Sequence, residues 1–270
     1  MNILIIGDVV GSPGRNILKR ALPVVFRRYD VDYCIANVEN AAGGFGVTRE
    51  ICDEMTAAGV DCMTSGNHIW DKKEIIPVIP QIPQLLRPAN YPARQPGKGT
   101  YVGRSKDSGV PVATLNLSGR VFMNGAIDDP FTMAERLVEE LRQEARIVIV
   151  DIHAEATSEK NAMGRFLDGR VSAVVGTHTH VPTCDHRLLP KGTAYCTDLG
   201  MTGPYDSVIG VETETILSRF VTGMPSRFET AKGDPRFAAV VVDADPETGR
   251  ARAIDRMLLT EADVDAMAAR

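Results

Sequence analysis

The chain has 270 residues, 44% hydrophobic and 24% charged, enough to bury a full core, and the lack of a long linker favours a single domain over residues 1–270. A net charge of −5 argues against tracking a polyphosphate backbone by bulk charge, but leaves a nucleotide substrate open. No apolar stretch can span a bilayer, and residues 3–6 are too short and lack the basic flank of a signal peptide, so a cytoplasmic enzyme with no membrane partner is expected.

Strand and helix signals alternate along the chain, the pattern of a largely parallel sheet covered by helices. The apolar run Asn2–Ile6 ends at Gly7-Asp8. Residues 15–28 then carry Ile17, Leu18, Ala21, Leu22, Val25 and Phe26 at helical spacing, with Pro23 expected to bend or divide the helix. A second strand over residues 32–38 runs into Glu39-Asn40 and the glycine-rich loop of residues 41–46. Thr48 is placed to cap the next helix and Gly59 to stop it. The strand at residues 61–64 leads into Gly66-Asn67-His68, residues 71–79 read as a short helix, and the proline-rich residues 77–96 as irregular.

Strands over residues 100–103 and 110–117 precede a helix at 133–144, and the strand at 146–150 delivers Asp151-Ile152-His153. A helix at 157–167 leads to the strand at 172–175, and a hairpin is expected from residues 187–189 and 193–197. The tail holds a helix near 212–221 and two late antiparallel strands, 237–242 and 251–258. The five cysteines form no C-x-x-C pair and sit mostly in or beside apolar runs, as buried small hydrophobes in a reducing compartment do.

Two of the five histidines fall on alternate residues in Gly176-Thr177-His178-Thr179-His180-Val181-Pro182, directly after an apolar run. Two imidazoles at a strand end suit a transition metal, which takes neutral nitrogens converging from one edge; alone, the pair could equally be surface histidines on a turn. Ligands of open parallel α/β sheets bind at the carboxyl ends of strands, so Asp8, Glu39, Asn40, Asn67, His68, His153, His178 and His180 are expected to share one crevice. Gly7, Gly11 and Gly14 have the wrong spacing for a dinucleotide fingerprint, and a nicotinamide site would leave the histidines without a role.

Together these blocks resemble the calcineurin-like metallophosphoesterase superfamily. Gly7-Asp8-Val9-Val10-Gly11, Glu39-Asn40 with the glycine-rich loop, Gly66-Asn67-His68, residues 153–160 and residues 176–183 resemble more narrowly its bacterial 2′,3′-cyclic-nucleotide phosphodiesterases. The resemblance implies an α/β fold, a β-sandwich of mixed sheets flanked by helices, with a two-metal centre at one edge. It implies that Glu39 bridges two divalent or trivalent ions, that Asp8, Asn40 and His180 complete one, and that Asn67, His153 and His178 complete the other. Iron or manganese is favoured and zinc is compatible, since mixed nitrogen and oxygen ligation does not choose among them. Such a pair lowers the pKa of a shared water to give a hydroxide for in-line attack on phosphorus, and His68 would protonate the departing ribose oxygen.

The implied substrates are cyclic nucleotides, 2′,3′-cyclic nucleoside monophosphates first, with RNA ends as a further candidate. A phosphomonoesterase on the same site, or an RNA-associated regulatory protein with little turnover, are the alternatives. The chain departs from the wider superfamily at Val10, where many members place a histidine, at Glu39 in place of aspartate, and at Ile69 in place of an acid. Asn40 is the expected substitute ligand and Asp71 the candidate to orient His68. Glu155 reads either as an acceptor for His153 or as a helix cap. His186 reads as structural, and Arg120 as a phosphate ligand or a partner of Asp128 or Asp129. Phe122, Phe131 and Tyr205 lie where a base could stack, with core packing preferred for the first two. No pattern specifies an oligomer, and a homo-oligomer stays open.

Overall fold

The computed structural model describes residues 1–269. Its first half comprises β1 (Asn2–Ile6), β2 (Asp8–Val9), α1 (Gly11–Tyr29), β3 (Val31–Asn37), α2 (Arg49–Ala58), β4 (Cys62–Thr64), β5 (Thr100–Arg104), β6 (Pro111–Ser118) and α3 (Pro130–Leu141). There follow β7 (Ile147–His153), α4 (Thr157–Phe166), β8 (Ala173–Thr177), β9 (Arg187–Leu188), β10 (Ala194–Cys196), β11 (Met201–Asp206), α5 (Thr213–Thr222), β12 (Gly233–Ala244), β13 (Ala251–Thr260) and α6 (Glu261–Ala268).

The strands make two mixed sheets, as expected of the α/β sandwich. One has seven strands in the order β2-β11-β12-β1-β3-β4 with β13 beside β12; the other has six, β5-β6-β7-β8-β10-β9. In the first, β1 runs parallel to β3 and antiparallel to β12. In the second, β6, β7, β8 and β10 are parallel, with antiparallel β5 and β9 at the edges.

The period-2 alternation of a strand explains why β1 is apolar throughout. Ile3 and Ile5 face the other sheet, packing with Tyr33, Ile35, Ile147, Ile149 and Val175 in one buried cluster. Leu4 and Ile6 point the opposite way, into a cluster with Ile17, Leu18, Leu22 and Val25 of α1. The outer face of the second sheet is covered likewise, Val148, Val150 and Ile152 packing with Val138 and Leu141 of α3 and Met163 of α4.

Thr48 accepts a hydrogen bond from Ile51 N as the N-cap of α2, and Gly59 closes that helix in the left-handed region at φ 106°. The hairpin of β9 and β10 forms as expected. Helix α1, by contrast, is continuous through Pro23, because its buried stripe holds it against the sheet on both sides of the proline. Residues 71–79 are not a helix: they form a single-turn 3₁₀ segment, Lys73–Ile75, and a second, Ile79–Gln81, follows. Pro77 and Pro80 each remove an N–H donor and restrict the residue before them, which stops a longer helix. Strand β11 and the capped helix α6 were not legible in the apolar pattern.

All five cysteines are free thiols; Cys34, Cys52, Cys62 and Cys196 are buried, whereas Cys184 is exposed. Among the described residues no helix is long and apolar enough to cross a membrane.

Candidate active site

The carboxyl ends of the strands from both sheets meet along one seam, and the two sheets bring different chemistry to it. The first sheet delivers Asp8 on β2, Glu39 and Asn40 after β3, and Asn67 and His68 after β4; the second delivers His153 on β7 and His178 and His180 after β8. Mostly oxygen donors thus arrive from one side and imidazoles from the other.

His153 is the centre. It is fully buried, and its Nε2 lies 2.9 Å from Glu39 Oε1, 3.0 Å from Asn67 Oδ1 and 3.1 Å from His178 Nδ1. Glu39, His153 and His178 offer ligand atoms that all lie within 4.8 Å of one another. One N–H cannot serve three acceptors, and a cation shared among these atoms would satisfy them together. Gly66 makes room for the His153 ring: a Cβ there would sit 2.0 Å from it.

The outward nitrogens of the three histidines are each engaged. His153 Nδ1 lies 3.0 Å from Thr177 Oγ1, whose hydroxyl donates at 2.7 Å to Asp151 Oδ1. The hydroxyl proton being committed to Asp151, Thr177 accepts from His153 Nδ1–H, which makes Nε2 the nitrogen that would offer a lone pair to a metal once its own proton is displaced. His178 Nε2 lies 3.0 Å from Glu155 Oε2, and His180 Nδ1 donates to the Ile209 carbonyl at 2.8 Å. Each ring therefore keeps one nitrogen free for a metal while an outer acceptor sets its tautomer, as metal-binding histidines require. Glu155 serves His178 rather than His153, and it does not cap α4, whose N-cap is Ala156 with no side-chain hydrogen bond.

Two buried oxygens complete the fit. Asp8 Oδ1 and Asn40 Oδ1 are buried with no hydrogen-bond partner, although burying an unpaired polar atom is costly. Asp8 Oδ2 accepts from the His178 amide at 3.2 Å, and Asn40 Nδ2 donates to the Gly44 carbonyl at 2.8 Å, so in both side chains the unpartnered oxygen is the one left over. Burial pushes the Asp8 carboxyl above its usual range, against the pull of His180 and His153. Burial also works against the charge of Glu39, but His153 and His68 outweigh it and hold that carboxyl at about 2. The donor set of carboxylates, amide oxygens and imidazoles fits iron, manganese or zinc.

The H-x-H step is a strained turn, with His178 at φ 104° and His180 at φ 64°. Asp198 holds it: Oδ2 accepts from the Thr179 amide at 3.2 Å and from Lys160 Nζ at 2.6 Å, and Oδ1 accepts from Gly200 N at 2.8 Å. Lys160, Asp198, Asp151 and Thr177 are all buried supports that the sequence reading left without a role. Asp151 could have been suspected, because a carboxylate two residues before His153 shares its strand face.

His68 lies beside the cluster, its amide donating to Glu39 Oε2 at 2.9 Å and its Nδ1 lying 2.8 Å from Asp71 Oδ2. Asp71 is thus the group that orients the ring. Glu39, Asn40, His68, His178 and His180 all line one cavity of about 510 Å³. The remaining candidates lie elsewhere. Phe122, expected in the core, is 84% exposed because its loop turns it outward at φ 63°. Phe131 packs against the outer core cluster, and Tyr205 donates to the Met201 carbonyl. Arg120 is close enough to Asp129 to help lower its carboxyl, behind that group's own hydrogen bonds to Thr132.

Residues 4–257 match the model of a family described as YmdB-like protein. The chain belongs to the YmdB-like family. A relative in Bacillus subtilis, a 2′,3′-cyclic-nucleotide 2′-phosphodiesterase, is 50% identical over 262 residues, covering 97% of this chain and 98% of its own. A crystal structure from Thermus thermophilus superposes with a TM-score of 0.89 at 46% identity, over 97% of this chain and all of that one. A Mycoplasma pneumoniae structure described as a novel phosphatase gives 0.90 at 33% identity, covering 100% of this chain and 96% of its own. The Candida albicans 5′-nucleotidase shares the fold alone, at a TM-score of 0.57 and 11% identity over 98% of this chain and 53% of its own. The YmdB-like chain therefore has a phosphoesterase-type fold, with its His/Glu cluster at the seam of the two sheets.

Proposed function

We propose that this chain is a metal-dependent phosphoester hydrolase acting on 2′,3′-cyclic nucleotides, with a two-metal centre. The observation that carries the reading is the convergence of Glu39, Asn67 and His178 on His153 Nε2, with Glu39 and His178 lining the same cavity as His68. The half-identical Bacillus subtilis relative supports the substrate class.

In this reading Asp8, Asn40 and His180 would hold one ion, Asn67, His153 and His178 would hold the other, and the Glu39 carboxylate, with two oxygens, would serve both. When bound, such a pair supplies a water acidic enough to attack phosphorus at neutral pH and neutralises the phosphoryl oxygens. The protein's own part is to fix the donors and to move one proton. Asp71 takes the Nδ1–H of His68, so Nε2 is the nitrogen free to face the substrate. For this step His68 must be an imidazolium, with Nδ1–H on Asp71 and its second proton on Nε2. As water adds to phosphorus and the P–O2′ bond breaks, Nε2–H passes to the leaving ribose oxygen and the ring is left neutral with its Nδ1–H. The proton lost by the attacking water restores the charge balance, giving a nucleoside 3′-phosphate.

The test is elemental analysis of the purified protein beside hydrolysis of 2′,3′-cyclic AMP with and without manganese. About two metals per chain and turnover lowered by about a hundredfold or more in His68→Ala is the expected result; a metal-loaded protein that leaves the cyclic phosphate intact overturns the proposal. A phosphomonoesterase is the second reading, favoured by the Mycoplasma pneumoniae neighbour described as a phosphatase. Nucleoside 3′-phosphate hydrolysed faster than the cyclic diester would favour it.

A further inference from the structure

The cavity has two unlike halves. Its floor is the polar cluster, whereas its far wall is aromatic and apolar, built from Phe45, Ile216, Phe220 and Phe228 with Arg219 among them. Phe45 and Phe228 lie with ring centroids 6.3 Å apart and planes within 25° of parallel. The Arg219 guanidinium lies 4.7 Å from the centroid of the Phe228 ring, and His68 and Phe45 meet edge to face with ring centroids 4.9 Å apart.

This wall is not core. Both rings are only half-buried, and Phe220 on the adjoining helix α5 is 81% exposed. Its position is tied to the floor, because Asn40 Nδ2 holds the Gly44 carbonyl and so fixes the loop that presents Phe45. Gly43, Gly44 and Gly46 stand at φ 70°, 97° and 80°, a path that side-chain-bearing residues resist.

We propose that Phe45 and Phe228 form the nucleobase platform of this site, with Arg219 bracing Phe228. The inference rests on the cyclic-nucleotide reading and deepens it. A flat π-surface beside a phosphate-binding floor matches the two ends of a nucleotide, and base–aromatic stacking is tolerant of base identity because every base has a π-face. Stacking here selects for the presence of a base rather than for a particular one. The cavity, about 510 Å³, is of the size that ligand pockets of this kind occupy.

The test compares 2′,3′-cyclic AMP with its base-free analogue, methyl riboside 2′,3′-cyclic phosphate. Wild type should prefer the nucleotide in kcat/KM, mainly through KM, by about fivefold to a hundredfold, the range that one stacked base provides. Phe228→Leu keeps apolar volume without a π-face and should collapse that ratio toward one, whereas Phe228→Trp should retain it. A ratio unchanged in Phe228→Leu, or a wild type that turns over both substrates equally, overturns the platform. Binding of 2-aminopurine riboside 3′-monophosphate, read by fluorescence quenching, separates the platform from the chemistry. Quenching that Phe228→Leu abolishes, in a protein that hydrolyses neither substrate, keeps the platform and sinks the hydrolytic reading; no quenching and no turnover sinks both.

Discussion

His153 Nε2 stands 2.9 Å from Glu39 Oε1, so a buried imidazole of one sheet meets a buried carboxylate of the other. Burial alone would push the imidazole down, but Glu39 and then Asp8 outweigh it and raise its pKa to about 9. In the metal-free protein Nε2 therefore carries a proton, and a proton and a metal ion compete for the same lone pair. Loading metal at neutral pH should release about one proton per chain from this ring, and the release should vanish above pH 9. Titration with manganese in buffers of different ionisation enthalpy measures it; uptake without proton release would show that His153 is neutral beforehand.

The same pair sets how the metal-free protein responds to pH. The folded pKa of His153 is raised from 6.5 to about 9, so its contribution to stability is full below 6.5 and lost as pH rises through about 9. Glu39 is depressed from 4.5 to about 2, so its contribution is present above 4.5 and lost as pH falls through about 2. Thermal unfolding of chelator-treated protein should show Tm falling as pH rises from 6.5 toward 9, with bound metal flattening the slope. A Tm that climbs over that window contradicts the pairing.

Replacing His68 by alanine should lower kcat by about a hundredfold to ten-thousandfold, the usual contribution of a general acid, while metal content stays at the wild-type level. Asp71→Asn should cost less, about tenfold, since it disturbs only the orientation of the ring. Steady-state kinetics beside elemental analysis decide this, and a His68→Ala protein with unaltered kcat would remove the proton-donor role.

Asn40 carries the most exposed part of the metal assignment. Asn40→Ala should lower occupancy of one ion and spare the other, since only one of the two proposed donor sets includes it. Elemental analysis reads the ratio directly, and equal loss of both ions, or of neither, counts against the assignment.

The Lys160–Asp198 pair is 1% exposed on either side and braces the turn that carries His178 and His180. Lys160→Met should destabilise the fold by about 3–5 kcal/mol, because it leaves Asp198 buried without its counter-charge. Replacing both, Lys160→Met with Asp198→Asn, should recover part of that loss. Chemical denaturation measures each step, and a single variant as stable as wild type would mean that the pair is not a brace.

The strand ends were legible because chemistry and position coincide there: Asp8, Glu39, Asn67, His153 and His178 each stand within three residues of the end of an apolar run. The supports were not, because their partners are distant in the chain. Thr177 takes its meaning from Asp151 and His153 on the neighbouring strand, and Lys160 from Asp198 across 38 residues. Strand β11 escaped notice because its glycine and proline blur the apolar pattern, yet its Met201 pairs beside Asp8. Glu155 reaches His178, a third option beside the His153 acceptor and the helix cap, since sequence adjacency to His153 says nothing of which ring its carboxylate reaches.

The proposed ligands come from both sheets, so an ion bound at the seam would act as a rivet. Each sheet alone holds only part of a coordination shell, so the ion's hold depends on the spacing between them, which is set by Ile3, Ile5, Tyr33 and Ile149 in the shared core. Substitutions that thin or swell that layer should loosen the ion without touching a ligand, and losing the ion should in turn free the two halves to part.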